Sequence, residues 1–273
     1  MDERHLPPPL GDAGEPEQPS VARMYDYYLG GHHNFASDRT AAAAIARIYP
    51  DVSLVAQANR AFLRRVVRFL VAHGVTQFLD IGSGIPTIGN VHEVARAADP
   101  RARVVYVDSD PVAVRHSRAI LADDPGAAVI QADARHPAAI LAHPATRELL
   151  DRTRPLAVLL ITFLHFIPDD AEAYRLVRTF VDALAPGSYL AIAHGTVDGA
   201  PPAVIAQIER LYTGTTHPVK FRTRAAIAPF FADLTLVDPG LVFVPRWRPE
   251  ADDDLFLDDP ARSLNLVGVG RKA

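Results

Sequence analysis

The chain has 273 residues, 49% hydrophobic and 22% charged, with a formal net charge of -4 and no cysteine. This composition fits one globular domain with embellishments. It excludes disulfides, a thiolate metal site and a cysteine nucleophile, and the net acidity argues against a dedicated nucleic-acid binder. No run reaches the length of a membrane span, and Met1–His5 lacks the basic and apolar blocks of a signal peptide, so the cytoplasm is the expected compartment.

Residues Met1 to Pro19, rich in proline, glycine and acids, have almost nothing to bury and read as a disordered tail. Ser20 is placed to cap a helix carrying Val21, Met24 and Tyr28 at helical spacing. The loop Leu29 to Phe35 is dense in polar and aromatic groups. Asp38 is expected to cap a second helix that Pro50 ends, and a third runs from about Ser53 to Ala72 with Phe62, Val66, Phe69 and Leu70 inward. On it Arg60, Arg64 and Arg68 form an i, i+4, i+8 stripe, read as a solvated face.

From Gln77 strands and helices alternate, the pattern of a parallel sheet. Strands are expected at Phe78–Ile81, Arg103–Val107, Ala128–Gln131, Leu156–Ile161 and Tyr189–Ala193. The first runs into the turn Gly82-Ser83-Gly84, followed by a helix over Ile88–Ala98. A glycine turn between strand and helix opens a nucleotide-binding unit, since it lets a ligand lie against bare backbone. Pro201–Phe231 reads as helical around a Thr213–Pro218 loop. Leu234–Val237, Leu241–Val244 and Leu264–Val269 read as strands, and prolines with the acids Asp252 to Asp254 break any crossover helix between the last two, which predicts antiparallel pairing.

The strand ends carry Asp80, Asp108, Asp133 and Thr162. Asp108 follows Asp80 by one strand–helix–strand step, where a carboxylate can accept both hydroxyls of a ribose. Asp133 can take an adenine amine. Asp80 discriminates between cofactors: a carboxylate repels a pyrophosphate but attracts an ammonium, which favours S-adenosylmethionine over NAD. Any one of these acids can equally be a turn or capping residue.

The motifs Asp80-Ile81-Gly82-Ser83-Gly84, Val107-Asp108 and Ala132-Asp133, with the reversed last strand, resemble the class I S-adenosylmethionine-dependent methyltransferase fold. Ser20 to Gly31, Asn34-Phe35, Ile85-Pro86-Thr87 and Asn90-Val91-His92-Glu93 resemble more narrowly a bacterial family of S-adenosyl methyltransferases long catalogued as a domain of unknown function. The resemblance implies an α/β, Rossmann-like, seven-stranded, mostly parallel sheet with an antiparallel last strand. Residues 20–75 become a helical lid or cap on a cofactor-binding domain at 76–273. The third glycine common in class I members is Pro86 here.

By that resemblance, Asp80, Gly82, Ser83 and Gly84 hold the methionine end of S-adenosyl-L-methionine, Asp108 and Ser109 the ribose, Asp133 and Ala134 the adenine, with Thr162 and Phe163 beside the sulfonium. Arg23–Asn34, which includes Gly31, becomes a lid in which Arg23 pairs the cofactor carboxylate and Tyr25 or Tyr28 hydrogen-bonds it. The alternative is a helix that packs on the sheet edge with Gly30-Gly31 as its C-cap. His165, and after it His194, is the candidate general base, with His32 and His33 behind them; each can equally line or cap without moving a proton.

Missing motifs restrict the acceptor. Without cysteine there is no C5-cytosine chemistry, Thr162-Phe163-Leu164-His165 is not the motif of amino-group nucleic-acid methyltransferases, and no Asp/Asn cluster suggests a divalent metal. Trp247 reads as a surface strand-edge aromatic. The expected function is O- or N-methylation of a small molecule. A cofactor-binding regulatory protein without transferase activity and an NAD-dependent oxidoreductase are the alternatives.

Overall fold

The computed structural model describes residues 17–85, 89–250 and 255–273. Three helices come first: α1 (Val21–Tyr28), α2 (Ala36–Ile48) and α3 (Val52–Ala72). There follow β1 (Gln77–Ile81), α4 (Val91–Ala98), β2 (Arg103–Asp108), α5 (Pro111–Ile120), β3 (Ala127–Gln131), the short α6 (Pro137–Ala142) and α7 (Pro144–Leu149), β4 (Ala157–Ile161), α8 (Asp170–Asp182) and β5 (Tyr189–Gly195). The chain ends with α9 (Pro202–Tyr212), α10 (Arg224–Ile227), β6 (Thr235–Leu236), β7 (Val242–Phe243) and β8 (Asn265–Arg271).

The sheet runs β3-β2-β1-β4-β5-β8-β6, with β7 pairing β8 off that path, so it has eight strands rather than the expected seven. β1 to β5 are parallel and β8 is antiparallel to β5, as expected from the broken segment before it. Strand order reverses between β1 and β4, and in such a sheet the crevice for a ligand lies at the carboxyl ends beside that reversal.

Alternation along the strands divides the core between the two faces. Leu79 and Ile81 pack with Leu176, Val177 and Phe180 of α8. Phe78 packs with Phe62, Val66 and Leu70 of α3 on the other side. Asp80 lies on the face of Phe78, toward α3. Trp247 is not a surface aromatic: it is fully buried, edge-on to Phe62 and Phe69, where a large ring fills the gap between α3 and the chain before β8. Arg65 fastens that segment by donating to the Val244 and Trp247 carbonyls.

A third apolar cluster joins α1, α2 and α9 through Met24, Tyr28, Ala42, Ile45 and Ile208, with Ala56 from the start of α3. This cluster joins α9 to the stretch expected to form a cap at 20–75, while α3 contributes to both this cluster and the sheet core. Asp38 is not an N-cap. It is the third residue of α2, accepting from the Ser20 and Phe35 N–H groups. Of the expected tail, residues 1–16 lie outside the described residues. Gln18 and Pro19 are held, Gln18 donating to the Thr215 carbonyl and Pro19 accepting from the Thr216 N–H. Pro86 to Ile88, including the expected helix start, and Asp252 to Asp254 also lie outside the described residues.

Candidate active site

Beyond β1 the chain turns through Gly82 and Gly84, whose φ angles of 69° and 65° suit glycine. At Gly82 the requirement is also spatial, since a Cβ would lie 2.6 Å from the Phe163 ring. Asp108, ending β2, braces the turn: one carboxylate oxygen accepts the Gly84 N–H at 2.7 Å and the other the Asp110 N–H at 2.8 Å. Asp110 caps α5 by accepting from Val112. These strand ends open into one cavity of about 680 Å³, within the range of ligand sites.

The cavity wall includes Asp80, Gly82, Ser83, Gly84, Asp108 and Ser109, and on its next side Asp133, Ala134, Thr162 and Phe163. Arg23, Tyr25, Tyr28 and His165 reach it too. Burial pushes the Asp80 carboxyl up to about 7; nearby Asp108 adds to the rise and Arg60 opposes it. Burial likewise pushes Asp108 up to about 6, against the N–H groups of Asp110 and Gly84 that favour its charge. Two acids so desolvated on one cavity wall make this end of the cavity a candidate site for a cation or for hydroxyl donors. Asp133 differs: the Arg135 guanidinium grips both its oxygens and holds its carboxyl below the usual range. The Ser83 hydroxyl is buried without a partner, a further unused polar group in the turn.

Thr162 sits at the end of β4 with a left-handed φ of 56°, an uncommon state for a β-branched residue that often marks functional sites. Tyr25 bridges toward it from α1 while donating to the Ala56 carbonyl at 3.1 Å.

Four expected residues take other roles. Arg23 spends its guanidinium within the protein, on Asp38 at 2.7 Å, Asp110 at 3.0 Å and the Gln18 carbonyl, so it ties α1 to α2 and the β2–α5 turn rather than offering donors to a ligand carboxylate. Gly31 is off the cavity wall: its place is against the Asp26 carboxylate, where a Cβ would come within 2.0 Å. His194 is fully buried and also off the wall, its Nδ1 donating to the Gly195 carbonyl and its Nε2 accepting from Arg222. Desolvation drives its pKa down to about 3. It is a packing residue.

His165 is on the wall but is no general base as it stands. Its Nδ1 accepts the Gly195 N–H at 3.3 Å, leaving the proton on Nε2. Burial, then His194 and Arg222, hold it well below the usual histidine range, so it is a neutral donor near pH 7.

Sequence reasoning missed the wall supplied by α3. Val52, Val55, Ala56, Asn59 and Arg60 line the cavity, an unbroken helical stripe. Arg60 belongs to it, beside Asp80 and Tyr25, and not to a solvated face. The available signal was Asn59, a polar residue on an apolar spacing. Tyr212, Phe221 and Asn265 also went unnoticed, since they arrive from distant elements.

A family model described as S-adenosyl methyltransferase matches residues 12–273. No curated protein matches the chain. Among solved structures, a protein from Thermobifida fusca provisionally classed as a methyltransferase is 42% identical, with 94% of this chain and 96% of that one covered and a TM-score of 0.88. A DUF574 family protein from Streptomyces avermitilis is 39% identical, with 94% and 98% covered and a TM-score of 0.88. An O-methyltransferase family protein from Burkholderia thailandensis shares the fold at 15% identity, with 94% and 65% covered and a TM-score of 0.53.

Proposed function

The chain belongs to the S-adenosyl methyltransferase family, and from that premise we propose that it methylates a small molecule on oxygen or nitrogen within the cavity between the strand ends and the helical cap. Its cofactor is S-adenosylmethionine, which closes the nicotinamide reading. The observation that carries the proposal is the meeting, on one cavity wall, of Asp80, Asp108, Asp133 and the Gly82–Gly84 turn with an apolar chamber from α1, α3 and α9.

The donor set fits the cofactor. Asp108 braces the turn with one lone pair on each oxygen and has others left for the two ribose hydroxyls. Asp133 and Ala134 flank the adenine. The methionine group is a zwitterion, and Asp80 beside Arg60 supplies both opposite charges, Arg60 replacing Arg23 as partner of the carboxylate. The bare backbone at Gly82 and Gly84 admits the chain of the cofactor closely. When bound, the cofactor supplies a methyl group on a positively charged sulfur.

The protein's own contribution is positioning and exclusion of water. Thr162 and Phe163 shape the boundary between the two parts of the cavity. Residues 18–28 close one side of it as a lid, fastened by Arg23 and by Ser20, which donates to Asp110. His165 orients the substrate by offering Nε2–H to an atom other than the one methylated, and the proton displaced when the new O–CH3 or N–CH3 bond replaces S–CH3 leaves to solvent.

Calorimetric titration with S-adenosylhomocysteine, beside Asp108→Ala, tests the cofactor half. Transfer of label from methyl-tritiated S-adenosylmethionine into the low-mass fraction of a cell extract tests the rest. Failure of wild type to bind, or label confined to protein or nucleic acid, would overturn the proposal.

A further inference from the structure

The cavity has two chemically distinct ends. Its carboxylates, Asp80, Asp108, Asp110, Asp133 and Glu172, all come from strand ends and from the starts of α5 and α8. The parts of the wall built by α1, α2, α3, α9 and β8 contribute no carboxylate. Of the arginines, Arg23 and Arg135 are held in ion pairs, and Arg60 stands next to Asp80 at the boundary. Among the described residues the chamber beyond that boundary is lined by no charged side chain, so a charged ligand entering it would lose its hydration without a counter-charge.

One chamber wall is a run of rings. Phe166 lies 5.8 Å from Tyr212 and 4.3 Å from His165 between ring centres, and His165 lies nearly parallel to Phe221 at 6.5 Å. Tyr28 continues the run from α1, beside Tyr212. Ile45, Val52 and Val55 bring aliphatic side chains from α2 and α3. A flat ring gains most from such a slot, since it can stack on one wall and bury its other face.

Beside the Tyr28 hydroxyl, two side-chain amide oxygens lie in this apolar wall. The Oδ1 atoms of Asn59 and Asn265 are buried with no partner, and both residues line the cavity. The Asn265 amide is oriented by its Nδ2, which donates to the Ser263 carbonyl at 3.0 Å, so the atom left over is the oxygen. Buried acceptors without a protein partner are uncommon in native proteins, and two on one cavity wall are placed to take donors from a ligand or from water.

We propose that the methyl acceptor is an uncharged ring compound bearing O–H or N–H donors, seated in the aromatic slot of Tyr28, Tyr212, Phe166 and Phe221 and held by the side-chain oxygens of Asn59 and Asn265. Calling the occupant an acceptor rests on the methyltransfer reading above; its chemical class rests on the chamber alone.

Two dyes that differ by one charge test the class: N-phenyl-1-naphthylamine, uncharged with one N–H, and 1-anilinonaphthalene-8-sulfonate, the same ring system as an anion. Fluorescence titration of the wild type should show the neutral dye binding about tenfold or more tighter than the sulfonate. Ile208→Trp fills the chamber and should abolish neutral-dye binding while leaving S-adenosylhomocysteine affinity within about twofold. Val55→Trp, at a half-buried cavity-lining position on α3, serves if Ile208→Trp does not fold. Equal or tighter binding of the sulfonate, or neutral-dye binding that survives the filled chamber, overturns the inference. Cofactor binding with no preference for the neutral dye would sink this inference alone. Preferential dye binding without cofactor binding would sink the methyltransferase reading and leave the class of the chamber standing.

Discussion

The Asp108 carboxylate holds the Gly84 N–H at 2.7 Å, across from the end of one strand to the turn that leaves the next. In the function proposed above the same group also receives the ribose hydroxyls, which would join the shaping of the turn to cofactor binding. Asp108→Ala should therefore remove two charge-assisted hydrogen bonds to ligand, each about 1.5–3 kcal/mol, and weaken S-adenosylhomocysteine binding by at least about 100-fold. Asp108→Asn, with one acceptor oxygen for two backbone N–H groups, should bind weakly too. Calorimetry that finds Asp108→Ala within tenfold of wild type would remove Asp108 from the site.

The raised carboxyls give a pH signature with a definite sign. Asp80 titrates at about 7 and Asp108 at about 6 in the folded protein, against an ordinary value of 3.8. Between those limits the folded state holds more protons than the unfolded chain, so the contribution of these groups to stability falls as pH rises from about 4 to about 7. A bound ammonium favours ionised Asp80, so cofactor binding should release protons near pH 6.5, and affinity should rise with pH and level off above about 7. Asp80→Asn should lose the upper part of that rise. Calorimetry in buffers of different ionisation enthalpy counts the protons; uptake instead of release would refute the assignment.

Arg23 makes a different kind of prediction from the one its motif suggested. Its side chain and that of Asp38 are almost wholly buried, and Asp110 shares the same guanidinium. Removing the cation strands two carboxylates, so Arg23→Ala should cost about 3–5 kcal/mol in urea unfolding. Cofactor affinity should fall only as far as the lid loosens. A variant of wild-type stability with lost binding would restore Arg23 to the cofactor's carboxylate.

The parallel sheet, the reversed last strand and the acids at three strand ends were legible in the sequence because each rests on a local pattern: an apolar run, a glycine turn, a carboxylate at its end. The expected strands at Phe78–Ile81 and Arg103–Val107 each fall within a residue of β1 and β2. What was not legible depends on which face a helix turns inward. Arg60 shares a spacing with Arg64 and Arg68, and nothing local distinguishes the one facing Asp80 from Arg68, which pairs with Glu250 at the surface. Trp247 stands between two arginines in a proline-rich stretch, which reads as surface until α3 is seen to cover it. Histidine roles were illegible for a related reason. The sequence places His165 and His194 at strand ends, but their proton positions are set by Gly195 and Arg222, remote from at least one of them in sequence.

Those proton positions are themselves testable. His194 should carry its proton on Nδ1, which donates to the Gly195 carbonyl at 2.7 Å, and His165 on Nε2, because its Nδ1 accepts the Gly195 N–H. Burial lowers both pKa values, His194 to about 3, so neither ring should titrate between about pH 5.5 and pH 8. Nitrogen-15 NMR of the imidazoles distinguishes the two tautomers, and His165→Gln and His194→Gln assign the signals. His194→Ala should destabilise the fold by about 2–4 kcal/mol, since it leaves an Arg222 side-chain N–H unpaired and opens a cavity in a fully buried site, while the Gly195 carbonyl keeps the Arg222 main-chain N–H at 3.1 Å. His165→Ala removes only an accepted N–H and one wall of the chamber, so it should cost less stability and should act on acceptor binding, leaving cofactor affinity near that of wild type. A His165 ring that titrates near pH 6.5, or that carries its proton on Nδ1, would return it to the role of base.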